Sequence, residues 1–157
     1  MKTAFTTKIL IAILLVFVLP TLQPAANAYS SAQISNIQFE YSKYLNGVYI
    51  PQGTVVIVSA TIYNGGSQVA TFSVCPSQRV GYSGGNYGDA ENFACTLITL
   101  GTICSSTTGV VSIPTVAYAS APGELFIRLS VYGQTGAVLA KSAWYPVSYI
   151  VPSASLQ

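Results

Sequence analysis

The residues with the most distinctive chemistry are three cysteines, Cys75, Cys95 and Cys104. Three cysteines allow one intrachain disulfide and leave one thiol over. We favour Cys75–Cys95, which would close the base of a long loop and contribute about 3 kcal/mol in the chain-entropy description. Cys95–Cys104, as the staple of a hairpin, is the alternative. The third cysteine is then either buried as a small apolar residue or paired between subunits.

The acidic residues offer little for catalysis. The sequence has no histidine, which excludes Ser-His-Asp and Cys-His nucleophiles and histidine-ligated zinc or copper sites. Asp89 and Glu91 form the one close carboxylate pair, which could contact Ca²⁺ with loop carbonyls but in a Gly-rich loop is more often only solvated. Glu40 and Glu124 are far apart in the sequence and do not predict a glycosidase pair. We therefore predict a protein that is not an enzyme, with no catalytic residue, no metal site and no cofactor.

A stretch rich in Gly and Tyr is the best candidate for a binding surface. Residues 75–92 include the run GYSGGNYGDAE, which lacks apolar periodicity and predicts a surface loop. Loops rich in Tyr, Ser, Gly and Asn are common binding surfaces. The residues of this predicted binding loop are Tyr82, Asn86, Tyr87, Asp89 and Glu91.

The first 28 residues have the pattern of a secretory signal peptide. Lys2 and Lys8 precede an apolar run, residues 9–19. This run is shorter than the roughly 20 residues that span a bilayer. An Ala-Asn-Ala cleavage site ends at Ala28, and an uncleaved N-terminal anchor is the alternative. Cleavage would leave one domain, residues 29–157, with no membrane span. We expect it to be secreted, either extracellular or at the cell surface, where disulfides form.

Charge constrains the partners of this domain. The two signal-peptide lysines account for the formal net charge of +2, so residues 29–157 carry four positive and four negative side chains. No basic patch is present, so we do not expect nucleic acid as a partner. A net charge near zero favours self-association. The expected partner is therefore a protein or a cell surface, and the chain itself, as a homo-polymer, is one candidate.

Alternating apolar and polar residues predict strands throughout the domain. Residues 54–63 form the predicted central strand, and residues 68–74 are predicted to return from it as a hairpin after Asn-Gly-Gly. Residues 124–132 alternate as clearly, and Pro114 and Pro146 are predicted to interrupt later strands. No segment has a 3.6-residue period. The fold class is therefore all-β: a single antiparallel Ig-like β-sandwich of about seven strands.

Two passages of turn and strand resemble a known family. The first is Pro51-x-Gly53-x-Val55-x-Ile57 followed by Asn64-x-Gly66, and the second is Ala121-Pro122-Gly123-Glu124-Leu125. Over residues 34–150 the chain resembles CARDB-type and related Ig-like domains of prokaryotic surface proteins. The resemblance implies an extracellular or cell-surface module. It carries over no catalytic residues, because such domains have none in common.

These features support two hypotheses about function. The first is a non-enzymatic secreted or cell-surface module with a structural or adhesive role. The second is a subunit of an extracellular filament. In that hypothesis, residues 29–41 or 143–151 of one protomer add as a strand to the neighbouring protomer.

Overall fold

The structure, a computed structural model, describes residues 31–42, 49–101 and 107–152. The predicted signal peptide and Cys104 lie outside the described residues. Within the described ranges no helix is long and apolar enough to cross a membrane. The strands of this part of the chain are β1 (Ala32–Glu40), β2 (Tyr49–Pro51), β3 (Val55–Asn64), β4 (Ala70–Gly81), β5 (Glu91–Asn92), β6 (Thr96–Leu100), β7 (Thr108–Val116), β8 (Gly123–Tyr132), β9 (Val138–Lys141) and β10 (Tyr145–Val151).

The strands form two sheets that pack face to face. One has three strands in the order β1-β3-β7. The other has seven, built on the order β2-β10-β8-β4-β5, with β6 beside β4 and β9 beside β8. All pairs are antiparallel except β2 with β10. The predicted antiparallel β-sandwich is confirmed, and seven of the strands in the described part have five or more residues.

The core lies between the inward faces of the two sheets. The alternation predicted for β3 and β8 is confirmed, since every second side chain of each is at most 1% exposed. Burying a Val, Leu or Ile side chain stabilises the fold by about 1.5–3 kcal/mol, so these two strands anchor the sandwich. Their buried side chains are Val56, Val58, Ala60, Ile62, Leu125, Ile127, Leu129 and Val131.

The predicted hairpin between residues 54–63 and 68–74 is wrong. β3 pairs with β1 and β7, whereas β4 pairs with β5, β6 and β8, so the chain crosses from one sheet to the other after β3. The side chain of Asn64 stabilises this connection between the sheets. It is 1% exposed, and Nδ2 donates to the carbonyl oxygens of Gln68 and Gly101, each at 2.9 Å. The Asn-Gly-Gly sequence therefore serves a turn between sheets and not a turn within one.

β4 extends through part of the predicted loop. Residues 75–81 belong to this twelve-residue strand, so the loop is limited to residues 82–90. The sequence did not predict this part of the strand, because polar residues at buried positions interrupt the apolar alternation. Ser77 Oγ donates to Asn92 Oδ1 at 2.7 Å, and Gln78 Nε2 donates to a carboxylate oxygen in β5 at 3.0 Å. These hydrogen bonds compensate for the burial of polar groups, which would otherwise destabilise the strand.

The two prolines do not interrupt strands as predicted. Pro114 lies inside β7, which is an edge strand and therefore has a neighbour on one side only. A proline can be accommodated there because its missing N–H need not break the ladder. Pro146 lies inside β10, where the pairing with β8 shifts register between Pro146 and Ser148. The break in the chain of strands falls earlier, at residues 142–144, between β9 and β10. This break positions Trp144, which is half-buried, over the outer face of the seven-stranded sheet.

Candidate functional site

The loop after β4 folds back on itself in a tight turn. The backbone N–H of Tyr82 donates to the carbonyl oxygen of Asn86 at 2.8 Å. Gly84 and Gly85 adopt φ angles of 95° and 81°, which residues with a side chain rarely adopt, so the two glycines make the turn possible. As a result Tyr87 lies opposite the last residue of β4.

The structure separates the five residues of the predicted binding loop. Tyr87 is 53% exposed, and its ring lies on the outer face of the seven-stranded sheet. Tyr82, Asp89 and Glu91 line a cleft of about 290 Å³ on another side of the loop. Asn86 contributes the backbone carbonyl that closes the turn. The loop therefore supplies residues to two different surfaces.

The first surface is a stack of two arginines and three aromatic rings. The Cζ atom of Arg79 lies 3.9 Å from the ring centroid of Tyr87 and 4.5 Å from that of Trp144. The Cζ atom of Arg128 lies 4.4 Å from the same Trp144 centroid. Phe126 packs edge to face against Tyr87, with 5.7 Å between ring centroids. We call these five residues the arginine–aromatic stack.

Sheet register explains how the stack assembles. Arg79 on β4 is the cross-strand partner of Phe126 on β8, and Arg128 is the partner of Ser77 two positions away. The two arginines are therefore diagonal neighbours on one face of the sheet. The break before β10 brings Trp144 over β8 from the opposite side. The ring is thus placed where both guanidinium groups reach it.

The two guanidinium groups have no anionic partner among the described residues. The Nε atom of each is buried and has no hydrogen-bond partner, so the Nη groups are the part that reaches solvent. The aromatic rings lie against both groups, and each contact of this kind contributes about 0.5–2 kcal/mol. The four acidic side chains of the sequence all lie within the described residues, and none forms an ion pair with either arginine. They are Glu40, Asp89, Glu91 and Glu124. The stack therefore presents two oriented donor groups with unused hydrogen-bonding capacity.

Lys141 continues the positive charge along the same face. It is the cross-strand partner of Ser130, which lies two positions beyond Arg128 on β8. Lys141 is therefore a diagonal neighbour of Arg128, as Arg128 is of Arg79. Diagonal neighbours on a sheet face are about 7–8 Å apart. We call these three residues, which are three of the four cations outside the predicted signal peptide, the cation row.

The second surface is the cleft beside the connection from β7 to β8. Gln78 is 1% exposed, and it donates from Nε2 to Glu91 Oε2 at 3.0 Å while its Oε1 has no hydrogen-bond partner. The hydroxyl oxygens of Tyr82 and Ser120 lie 3.0 Å apart across the cleft. Among the described residues, no group of three or more His, Cys, Asp or Glu side chains could hold a metal ion. The cleft is a polar recess in which Glu91 is already engaged by an amide.

The disulfide favoured from the sequence is confirmed. Cys75 and Cys95 are bonded, with a sequence separation of 20 residues. The ladder between β4 and β6 ends at the pair Val74 and Thr96, so the disulfide continues it by one position. The bond fixes the base of the segment that carries the loop. Cys104, the alternative partner, lies outside the described residues.

Sequence reasoning missed Arg79, Arg128 and Trp144 as candidate site residues. One signal was available: the alternation of β8 places Phe126 and Arg128 on its outward side. A cation and a ring in adjacent outward positions of a strand can form a stack only if a neighbouring strand adds to them. The pairing register between β4 and β8, which places Arg79 beside Phe126, cannot be predicted from the alternation of either strand.

Comparisons with known proteins give the fold alone. No protein-family model matches the chain, and no curated protein matches it. A Pseudomonas fluorescens alkylpurine DNA glycosylase, AlkC, bound to DNA containing an abasic site analog is 15% identical with a TM-score of 0.51, over 76% of this chain and 31% of that one. The β-glucosidase EmGH1 from Erythrobacter marinus is 15% identical with a TM-score of 0.51, over 78% and 16%. A β-glucosidase involved in saponin metabolism from intestinal bacteria is 13% identical with a TM-score of 0.51, over 76% and 16%.

The chain spans less than a third of each of these larger chains. At such low identity the similarity concerns the β-sandwich fold and carries no activity to this protein. Its function has to be argued from its own surfaces.

Proposed function

We propose that this protein is a non-enzymatic adhesion module, secreted or held at the cell surface, which binds its partner through the arginine–aromatic stack. The observation that supports this proposal is the setting of the guanidinium groups of Arg79 and Arg128. Arg79 lies against three aromatic rings and Arg128 against that of Trp144. Each has a buried Nε, and neither has an anionic partner among the described residues. Arginine and aromatic residues are the types enriched where proteins bind partners. The stack therefore supplies donors and ring surface for a ligand.

The chemistry of both surfaces favours binding over catalysis. The stack contains guanidinium groups and rings, which donate hydrogen bonds and offer packing area but accept no proton near neutral pH. The sequence has no histidine to serve as a general base. In the cleft Glu91 is hydrogen-bonded to Gln78, and both it and Asp89 are exposed, without the buried setting that tunes a catalytic carboxyl.

Three observations support the proposed location. Residues 1–28 have the pattern of a secretory signal peptide. The Cys75–Cys95 disulfide is compatible with an oxidising compartment outside the cytoplasm. The turn and strand passages resemble CARDB-type domains, which belong to surface proteins.

Truncating the tryptophan of the stack should weaken adhesion strongly. Trp144→Ala removes the ring that lies within 4.5 Å of both arginine Cζ atoms, so both guanidinium groups lose the contact that orients them. We expect binding of the purified protein to washed cells and cell-wall material of its source organism to weaken by at least about tenfold, as is typical of a central anchor residue. Sedimentation of labelled protein measures this.

Tyr63→Ala is the matched control for this experiment. It truncates another partly exposed ring, 36% exposed, on the three-stranded sheet. Its binding should equal that of the unmodified protein. Unchanged binding of the Trp144 variant together with loss in the Tyr63 variant would place the binding surface on the other sheet and overturn the proposal.

A second candidate function is the subunit of an extracellular filament, and the outer face of the three-stranded sheet favours it. Val55, Val110 and Val116 are 51%, 70% and 50% exposed, and neither β3 nor β7 contains a charged residue. Val55 and Val116 are cross-strand neighbours, so their side chains form a continuous apolar area. Apolar faces of this kind pack against partners, including other copies of the same chain.

Filament assembly by strand addition would need an exchange between protomers. β1 already pairs with β3, and β10 already pairs with β8 and β2. Assembly through the apolar outer face needs no such exchange.

If the protein is a filament subunit, Val116→Lys should abolish the filaments seen by negative-stain microscopy and the concentration-dependent rise in light scattering. Leu97→Lys, at a 71% exposed position on the other sheet, is the control that should still assemble. Monomers of the unmodified protein at every concentration would contradict assembly.

A further inference from the structure

We infer that the ligand of the arginine–aromatic stack is a linear polysaccharide that carries carboxylates, a polyuronate, lying along the cation row. This inference rests on the proposed function and names the ligand class of the same surface. The starting observation is that Arg79, Arg128 and Lys141 follow one another as diagonal neighbours across β4, β8 and β9. No described carboxylate forms an ion pair with either arginine, so the two guanidinium groups are available to an external anion.

The exposed part of each guanidinium sets the geometry of the acceptor. Aromatic rings lie against the groups, with Trp144 contacting both, and the Nε of each is buried. With Nε buried, the edge that carries the two Nη groups is the part of each guanidinium that can donate to a ligand. A carboxylate matches that edge, because its two oxygens accept two parallel N–H bonds from one guanidinium. Each arginine is thus prepared for one carboxylate.

The arrangement of the three cations favours a chain over a single small anion. The sheet positions that carry them are about 7–8 Å apart from one to the next along a diagonal. A linear polymer with a carboxylate on successive units can engage them together, whereas a small carboxylate can engage one. Tyr87, which is 53% exposed and stacks on Arg79, adds a ring face beside the row. Sugar rings present apolar C–H groups that pack on such a face.

Other polyanions fit this surface less well. Nucleic acid binding gains its strength from neutralising many phosphates, whereas the cation row offers three cations on one face. An acidic protein partner would be expected to bury an apolar interface core. Three exposed valines, Val55, Val110 and Val116, lie instead on the outer face of the other sheet. The exposed Leu97 and Val138 lie on β6 and β9, which contribute no residue to the stack. A polar, regularly charged glycan needs no apolar core.

The test is a titration of the purified protein with polygalacturonate. Trp144 is the single tryptophan of the chain and lies inside the stack, so its fluorescence reports occupancy directly. We expect a saturable change that weakens as salt rises, because the contacts are ionic. Methyl-esterified polygalacturonate has the same backbone without the charge, and it should not bind. Polyglutamate and single-stranded DNA are the other two probes, and both should bind at least about tenfold more weakly.

Substitutions locate the site on the cation row. Arg79→Gln and Arg128→Gln should each weaken polygalacturonate binding about tenfold to a hundredfold, the range for loss of a charge-assisted hydrogen-bonded pair. Arg128→Lys keeps the charge but loses the two-pronged donor, so it should restore only a small part of the affinity. Glu40→Gln changes the net charge by one unit in the opposite direction, on the three-stranded sheet, and should leave binding unchanged. Circular dichroism and thermal unfolding identify any variant that fails to fold, and in that case the lysine variant supplies the comparison.

The outcomes separate this inference from the proposed function. Trp144→Ala has no tryptophan, so its binding is measured by isothermal titration calorimetry. Equal binding of the methyl ester and of polygalacturonate, both lost in Trp144→Ala, would overturn the polyuronate and leave adhesion through the stack standing. Stronger binding of polyglutamate or DNA would replace the ligand by an acidic protein or a nucleic acid. No binding of any probe would also overturn the inference, while loss of cell adhesion in Trp144→Ala would still support the module. If adhesion too were unaffected by that substitution, both proposals would fall.

Discussion

Replacing Cys75 and Cys95 together by alanine should lower the free energy of unfolding by about 3 kcal/mol. The bond closes a loop with a sequence separation of 20 residues, and restricting a loop of that size in the unfolded chain is worth about this amount in the chain-entropy description. Urea unfolding followed by Trp144 fluorescence should show a midpoint lowered by about 1–3 M, since small domains lose about 1–3 kcal/mol of stability per molar urea. The loop at residues 82–90 should become accessible to proteases earlier than the core strands.

Chemical reduction is the control for the disulfide. The unmodified protein in dithiothreitol should unfold at the midpoint of the double variant, and the double variant should not respond to the reductant. A response of the double variant would reveal another disulfide. Because Cys104 is the one cysteine left in that variant, the bond would have to join two chains. Equal midpoints for the oxidised unmodified protein and the double variant would contradict a stabilising role for the bond. Non-reducing peptide mapping identifies the paired cysteines independently.

Strands with one face in the core could be predicted from the sequence. The predicted bounds of β3 and β8 differ from the structure by one residue, because the alternation in each reflects burial of one face. The pairing of β3 could not be predicted in the same way. β3 and β4 both direct an apolar face into the same core, so their pattern is identical whether they share a sheet or face each other across the sandwich.

Polar residues account for the remaining differences in the fold and for the missed stack. Gln78 is 1% exposed on β4, and a polar residue at a core position makes a strand look like a loop. The members of the stack come from β4, the loop, β8 and the break before β10, and they meet only when Arg79 pairs with Phe126. That register is fixed by long-range pairing. The predicted binding loop contributed Tyr87 to the stack because a Gly- and Tyr-rich turn can fold back over a sheet face.

Replacing Asn64 by alanine should destabilise the protein by about 3 kcal/mol. The side chain is 1% exposed, its Nδ2 donates to the carbonyl oxygens of Gln68 and Gly101, and its Oδ1 accepts the N–H of Gly66, all at 2.9 Å. Alanine would leave these backbone groups without partners where the chain crosses between the sheets. Each unsatisfied buried group costs about 1–3 kcal/mol, and water can recover part of the total at the half-buried ones. Thermal and urea unfolding measure the loss.

Asn64→Asp distinguishes the donor role from the acceptor role of this side chain. Aspartate keeps an oxygen for the N–H of Gly66 but loses the amide protons and places a carboxylate against two carbonyl oxygens. We expect it to be at least as destabilising as alanine at neutral pH, because a buried charge without a partner is costly. Asn86→Ala is the control, since Asn86 is exposed and closes its turn through the backbone, and it should change stability by less than about 0.5 kcal/mol. An equally small effect at Asn64 would mean that the crossing is held by the packing of β3 and β4 alone.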